Sequence, residues 1–276
     1  MSNISRNQTK VGRMYTDGTK PHYSVTTILG GIFGKGKFFD TWLKNLGHYA
    51  DIYTKARMQR GTLVHEILHL MKLDGQCVVD YSFIKDFMHD YVDASSIAYW
   101  KGKNALADSV MKFIESYEKW TLDYDIKYWG SEVMLYHPDY DWAGAVDDPI
   151  RNKTLNCNQI VDIKTGGAYD THILQCIAYA LLWNKLYPNH QMTSVGVLYI
   201  KDSFVTKPTY KFETLELDST KGKKKIQEWE HTMAIWRLRH ANADGSYPVK
   251  QFYKPKEEVA LRDDIEREFL DPFNQE

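Results

Sequence analysis

The stretch Ile160-Val161-Asp162-Ile163-Lys164-Thr165-Gly166 alternates apolar and charged side chains before it reaches a glycine. Alternation of this kind, with β-branched apolar residues, predicts a strand that ends near the glycine. Side chains two residues apart on a strand point to the same face, so Asp162 and Lys164 are predicted to lie side by side. Val161 and Ile163 then point to the opposite face, into a core. An Asp–Lys pair at a strand end is common on protein surfaces, so its meaning depends on the surrounding sequence.

A second carboxylate, Asp147, ends the preceding predicted strand, within Gly144-Ala145-Val146-Asp147. Antiparallel pairing of the two strands, joined through Arg151–Asn158, would place Asp147 beside Asp162. Two carboxylates held close together repel each other unless a proton or a cation lies between them. Because Mg²⁺ prefers carboxylate oxygens and water, the pair predicts a divalent-metal site. Lys164 would there orient a water molecule or stabilise negative charge on a phosphodiester.

The next predicted helix, HILQCIAYALLWNKLY, is apolar on almost every side. Gln175 and Tyr179 are four residues apart in it and therefore share a helix face. A buried glutamine without a partner costs roughly 1–3 kcal/mol, so Gln175 is predicted to reach a polar group at the end of the neighbouring strand. A hydrogen bond from its amide to the backbone is the alternative.

His65-Glu66-Ile67-Leu68-His69, in a predicted helix, has the HExxH form of zinc proteases. Two histidines four residues apart could bind zinc, with Glu66 as the general base. The extended signature with a third histidine is absent. The competing interpretation is that His65 alone joins the metal site of Asp147 and Asp162, where an imidazole ligand would favour Mn²⁺ over Mg²⁺.

The chain has 276 residues, 43% of them hydrophobic, which predicts one globular domain. Residues 1–23 are polar and indicate a loose segment. Helical periodicity dominates residues 24–125, mainly from about residue 38. Short segments with β-branched residues, SEVMLYH, DWAGAVDD and QIVDIK, mark strands of a sheet-containing core at 126–215, and a C-terminal helix and tail occupy 216–276. These patterns predict an α/β fold in which helices flank a mixed central sheet. The net charge of −1 does not by itself indicate a nucleic-acid binder.

Three widely spaced cysteines form no CxxC pair, so we expect no iron–sulfur cluster; they are Cys77, Cys157 and Cys176. No apolar run reaches the roughly 18 residues of a membrane span, and the N-terminus lacks the apolar region of a secretion signal. We therefore expect a cytoplasmic protein that does not associate with a membrane.

Together these segments resemble the RecB-like branch of the PD-(D/E)XK nuclease superfamily, in particular its phage exonucleases and mitochondrial genome maintenance exonucleases. The matching elements, in order, are Arg60–His65 (RGTLVH), Gly144–Asp147 (GAVD), Asp162–Gly166 (DIKTG) and Gln175–Tyr179 (QCIAY). The resemblance implies a restriction-endonuclease-like fold and an exonuclease dependent on Mg²⁺ or Mn²⁺. It also implies DNA with a single-stranded end as the partner, and replication or recombination proteins as further partners.

The resemblance also implies a role for each matching residue. The metal ligands would be His65, Asp147, Asp162 and the carbonyl of Ile163. Lys164 would be the catalytic lysine. Glu132, on the predicted strand before Asp147, would occupy an acidic position found in some members. DNA contacts or support of the site would come from Gln175, Tyr179, Arg60 and Thr165. Two other functions stay open at this point: the zinc protease and a non-catalytic DNA-binding protein of the same fold.

Overall fold

The computed structural model describes residues 5–9, 12–16, 21–34, 41, 44–74, 79–137, 139–204 and 206–240. Within them, the predicted mixed α/β fold is confirmed, with a largely helical part followed by sheet strands. The predicted C-terminal tail after residue 240 lies outside the described residues. No helix in the described ranges is long and apolar enough to cross a membrane.

Three short strands and a helix form the beginning of the described chain: β1 (Ser5–Thr9), β2 (Gly12–Thr16), β3 (Pro21–Ser24) and α1 (Val25–Phe33). The sequence pattern had indicated only a loose polar segment up to residue 23, and that interpretation was wrong for these strands. Their apolar side chains are few, and tertiary contacts bury them: Met14 and Tyr15 are buried although most residues of β1 and β2 are polar. The hydroxyl of Ser24 caps α1 by accepting a hydrogen bond from the N–H of Thr27 at 3.0 Å.

Four helices follow a short 3₁₀ turn at Gly47–Tyr49: α2 (Ala50–Asp74), α3 (Tyr81–Tyr91), α4 (Ala94–Tyr99) and α5 (Lys103–Tyr124). Their apolar stripes pack together and against one face of a sheet, in a core that contains Leu63, Ile67, Phe113, Val161 and Ile163. Val161 and Ile163 thus point into a core, as predicted. Part of the predicted helical stretch that begins near residue 38 lies outside the described residues.

The remaining strands are β4 (Ile126–Tyr128), β5 (Val133–Tyr136), β6 (Trp142–Val146), β7 (Asp148–Asn152), β8 (Cys157–Lys164), β9 (Ser194–Ile200) and β10 (Tyr210–Glu216). The described strands form two five-stranded sheets where a single central sheet was expected: β1-β2-β3-β6-β5 and β10-β9-β8-β7-β4. Each sheet is mixed, because β3 pairs parallel with β6 and β8 pairs parallel with β9. Helices flank the second sheet on both faces, α2–α5 on one and α6 (Thr171–Leu186) on the other.

Asp147 is the single residue between β6 of the first sheet and β7 of the second. The segment DWAGAVDD, predicted as one strand, is therefore two strands in different sheets, and β7 is the one that pairs with β8. Nothing in the local sequence marks the bend at Asp147, so the sequence pattern does not reveal it.

Helix α6 contacts both sheets and brings them together, and α7 (Thr220–His240) packs beside it. Its approach to β6 is close: a methyl group at Gly144 would overlap the ring of Tyr179. A glycine is therefore required at this point of the GAVD segment, since only a residue without Cβ leaves room for the ring.

Candidate functional site

Three potential metal ligands meet near the bend between the two sheets. The ligand atoms of His65, Glu132 and Asp147 all lie within 4.8 Å of one another. Nδ1 of His65, on α2, is 3.6 Å from Oδ1 of Asp147 and 3.9 Å from Oε1 of Glu132. One imidazole and two carboxylates are a donor set suited to Mg²⁺ and better suited to Mn²⁺. These three residues therefore fit a divalent cation, and we call them the ligand cluster.

Glu132 reaches the ligand cluster from an unusual backbone conformation. It lies directly before β5, and not on the strand as predicted, with a φ of 53°. Non-glycine residues adopt this left-handed region at a cost, and such residues are concentrated at functional sites. The N–H of Glu132 donates to the carbonyl of Asp147 at 3.0 Å, so the backbones of the two acidic residues are joined.

Asp147 also connects the ligand cluster to β8. Its Oδ2 accepts a hydrogen bond from the N–H of Ile163 at 2.7 Å. The N–H and C=O of one strand residue point to the same edge, so the Ile163 carbonyl also lies on the Asp147 side of β8. The carbonyl of Ile163 stays a predicted ligand.

Asp162 and Lys164 lie side by side, as the strand periodicity predicts. Oδ2 of Asp162 is 2.5 Å from Nζ of Lys164, and Oδ1 accepts from the side-chain amide of Gln175 at 2.8 Å. The amide oxygen of Gln175 is 3.5 Å from Nζ of Lys164, and its nitrogen is 3.4 Å from the hydroxyl of Tyr179. The prediction that buried Gln175 reaches this strand end is confirmed. Asp162 does not join the ligand cluster in this arrangement, and its role as a ligand stays a prediction.

The charges of the ligand cluster favour a cation among the carboxylates. Burial lowers the pKa of His65, but the charges and hydrogen bonds of Asp147 and Glu132 outweigh burial and raise that pKa to about 10. Burial raises the pKa of Asp147, yet His65, Lys164 and the Ile163 N–H together hold it below its usual value. The negative potential that stabilises the imidazolium is the same potential that attracts a divalent cation.

Asp162 and Lys164 differ in how burial affects them. Burial and the nearby charge of Asp147 raise the pKa of Asp162 to about 6, although Lys164 and His65 oppose this. Burial lowers the pKa of Lys164, but the two aspartates outweigh it and raise the net value above the usual range. Lys164 therefore remains positively charged at neutral pH, with 22% of its side chain exposed.

The second histidine of the HExxH segment has a different partner. Nδ1 of His69 is 2.8 Å from the hydroxyl of Ser131, and His69 does not join the ligand cluster in the described part of the chain. Burial and Glu132 raise the pKa of Glu66. The histidine pair of a zinc protease must share one metal, so this geometry disfavours the protease interpretation.

Arg60 and Thr165, the remaining residues implied by the resemblance, lie at different depths. Arg60 is buried: its Nη1 lies 2.7 Å from Oγ of Ser109 and 2.6 Å from Oδ2 of Asp202, and its guanidinium stacks on the Trp100 ring. It supports the packing of α2 and α5 and presents no free surface to a phosphate. Thr165 follows β8, and its hydroxyl would be 3.2 Å from a methyl group at Gly61 of α2.

A buried ion pair lies next to the ligand cluster and was missed in the sequence. Lys72 of α2 donates to the carboxylate of Asp148, which is fully buried, and the Tyr117 hydroxyl donates to the same carboxylate at 2.7 Å. His65, His69 and Lys72 follow the i, i+4, i+7 spacing of one helix face. This spacing was the available signal: the face contacts Asp147, Ser131 and Asp148 in turn.

The two histidines are expected to differ in metal binding. His65→Ala removes the imidazole of the ligand cluster, so we expect Mn²⁺ affinity to fall by at least about tenfold. His69→Ala removes only the contact with Ser131 and should leave the affinity within about threefold of wild type. Titration calorimetry with Mn²⁺ measures both. Equal losses in the two variants would favour the paired-histidine site instead.

No protein-family model matches this chain, and no curated protein matches it either. Among solved structures, it is similar to one described as "Crystal structure of SSO0001", at 14% sequence identity and a TM-score of 0.27. The similarity covers 62% of this chain and 85% of the other. A similarity this low supports no conclusion about function.

Proposed function

We propose that this chain is a Mg²⁺- or Mn²⁺-dependent deoxyribonuclease of the RecB-like type, acting as an exonuclease on DNA with a single-stranded end. The observation that carries the proposal is the hydrogen bond between the Ile163 N–H and Asp147. It joins the ligand cluster to the strand that bears Asp162 and Lys164. A cation site and a charged lysine on adjoining elements are the two parts that phosphodiester hydrolysis requires.

Each residue has a distinct part in the proposed reaction. His65, Glu132 and Asp147 would hold the cation, which supplies Lewis acidity and a more acidic bound water. Lys164 would stabilise the negative charge that grows on the phosphate oxygens in the transition state. Gln175 holds Asp162 through a 2.8 Å hydrogen bond, and Asp162 holds the ammonium of Lys164. The hydroxyl of Tyr179 accepts a hydrogen bond from the amide nitrogen of Gln175.

Metal dependence is the direct test of this proposal. End-labelled single-stranded and double-stranded DNA, incubated with the protein and separated on a gel, should be cut in Mg²⁺ and at equal or higher rate in Mn²⁺. EDTA should stop cleavage, because the carboxylates of the ligand cluster then hold no cation. Ca²⁺ should bind yet support little reaction, since it is larger and polarises water less.

The same assay separates the alternatives. A zinc protease would retain zinc through purification, cleave peptides and ignore added Mg²⁺. A non-catalytic DNA-binding protein would bind the labelled DNA and cut it with none of the metals. Either result would contradict the nuclease proposal.

The proposal includes a cytoplasmic setting and replication or recombination proteins as partners.

A further inference from the structure

Tyr169 exposes half of its side chain in the loop between β8 and α6, the two elements that carry Lys164 and Gln175. Its backbone is nevertheless anchored to the start of α6. Its carbonyl accepts a hydrogen bond at 3.0 Å from the N–H of His172, in the first turn of α6. An aromatic ring on an anchored backbone has less conformational freedom to lose when a ligand binds.

The ring of Tyr169 is the first of three neighbouring aromatic side chains, and the last of them, Tyr199, pairs with Lys164 in the sheet. It meets the His172 ring edge-on, with ring centroids 5.4 Å apart and an interplanar angle of 80°. Nδ1 of His172 is 3.2 Å from the hydroxyl of Tyr199. Tyr199 on β9 is the register partner of Lys164 on β8, so their side chains leave the same face of the sheet.

The His172 ring supports Tyr169 without adding charge. Burial and the charge of Lys164 lower the pKa of His172 to about 3, so the imidazole is neutral at physiological pH. The rings of Tyr169 and His172 thus form an uncharged π surface, and Lys164 is near enough for its charge to act on His172. A nucleotide has this same combination, a flat base linked to a phosphate.

We propose that Tyr169 is a stacking subsite for one nucleobase of the strand whose phosphate lies at Lys164 and the ligand cluster. The subsite rests on the proposed nuclease function and adds the substrate feature that is read there, an unpaired base. A base inside a duplex has both faces covered by its neighbours, whereas a base in a single strand offers a free face. Stacking on a tyrosine is nearly independent of sequence because every base has a π face.

Binding of an oligothymidylate and of an abasic strand of equal length tests the subsite, with fluorescence anisotropy in Ca²⁺ as the measurement. Tyr169→Ala is expected to weaken oligothymidylate binding about 5- to 100-fold. Binding of the abasic strand should stay the same, because its phosphates are unchanged. Tyr169→Trp and Tyr169→Phe keep a ring and should stay within about threefold of wild type.

Tyr81→Ala is the matched control, because Tyr81 is 47% exposed and Tyr169 is 50% exposed, but Tyr81 begins α3, away from β8 and α6. Tyr81→Ala should leave the affinities for oligothymidylate and for the abasic strand unchanged. Strands that carry 2-aminopurine at one position each report stacking directly. Binding to the wild-type protein should quench the 2-aminopurine fluorescence. In at least one of these positions, binding to Tyr169→Ala should quench it less.

The outcomes of the binding and cleavage assays are separable. Equal weakening of both strands, or no weakening of either, in Tyr169→Ala would overturn the subsite, as would failure of the wild-type protein to bind oligothymidylate. Selective weakening without cleavage in any metal would refute the nuclease and leave the subsite standing. Cleavage in Mg²⁺ together with unaltered DNA binding by Tyr169→Ala would support the nuclease and refute the subsite.

Discussion

Lys164→Ala is expected to reduce DNA cleavage by about 100- to 1,000-fold, the loss that follows removal of one group that stabilises transition-state charge. The lysine is charged, faces Asp162 at 2.5 Å and is held beside Gln175, so its ammonium has a defined position before substrate binds. Mn²⁺ affinity should change far less than the cleavage rate, because Lys164 is not part of the ligand cluster. Single-turnover cleavage and Mn²⁺ titration measure the two effects.

The alanine variant should still fold at neutral pH. Without the ammonium, the pKa of Asp162 rises further above about 6, and the buried carboxyl takes up a proton instead of remaining an unpaired charge. The side-chain amide of Gln175 can still donate a hydrogen bond to this carboxyl. Lys153→Ala is a suitable control, since Lys153 lies in the turn between β7 and β8, at the opposite end of β8 from Lys164, and pairs with Asp125 at the surface. Wild-type turnover by Lys164→Ala would remove this residue from the mechanism.

Lys72→Met is expected to lower the free energy of unfolding by about 3–5 kcal/mol, the range for breaking a buried ion pair on one side. Both side chains are enclosed: that of Lys72 is 6% exposed and that of Asp148 is fully buried. Methionine approximates the length of lysine, so little volume is lost and the effect reports the unpaired carboxylate. Urea denaturation followed by circular dichroism measures it.

The stability loss caused by Lys72→Met should depend on pH in a defined direction. Burial raises the pKa of Asp148 and Lys72 opposes this, so removal of Lys72 raises the folded-state pKa further above its unfolded value. The folded variant then binds more protons than the unfolded chain between those two values, and stability relative to wild type falls as pH rises through that window. Lowering the pH toward the pKa of Asp148 in the unfolded chain should restore part of the lost stability.

Two variants serve as controls for Lys72→Met. Lys119→Met breaks the half-exposed i, i+4 pair with Asp123 and should cost less than about 1 kcal/mol. Lys72→Met combined with Asp148→Asn removes both charges and should be more stable than Lys72→Met alone. A double variant less stable than the single one would contradict the unpaired-charge explanation.

The sequence predicted those parts of the site that depend on the period of one element. Asp162 and Lys164 share a strand face because their spacing is two, and Gln175 and Tyr179 share a helix face because theirs is four. The contact from Gln175 to Asp162 also follows from a local argument, since a buried amide requires a partner. Of the two interpretations of the histidine pair, the one in which His65 acts without His69 agrees with their different partners.

The parts that sequence analysis missed involve positions where the chain changes direction. Asp147 and Asp148 are adjacent, yet one meets His65 and the other meets Lys72. No periodic pattern marks the bend that separates them. Glu132 was predicted on a strand, and its left-handed backbone was not foreseen because nothing in the local sequence demands it.

Sequence by itself therefore determined the α/β class, the shared strand face of Asp162 and Lys164, and the shared helix face of Gln175 and Tyr179, because these follow from backbone geometry within one element. Tertiary structure alone decided that the strands divide into two sheets, that Asp147 lies at their junction, and that Glu132 completes the ligand cluster with His65. These features depend on contacts between residues 15 to 82 positions apart, such as Asp147 with Ile163 and Asp147 with His65. Long-range contacts of this kind are set by how whole elements pack, which local patterns do not encode.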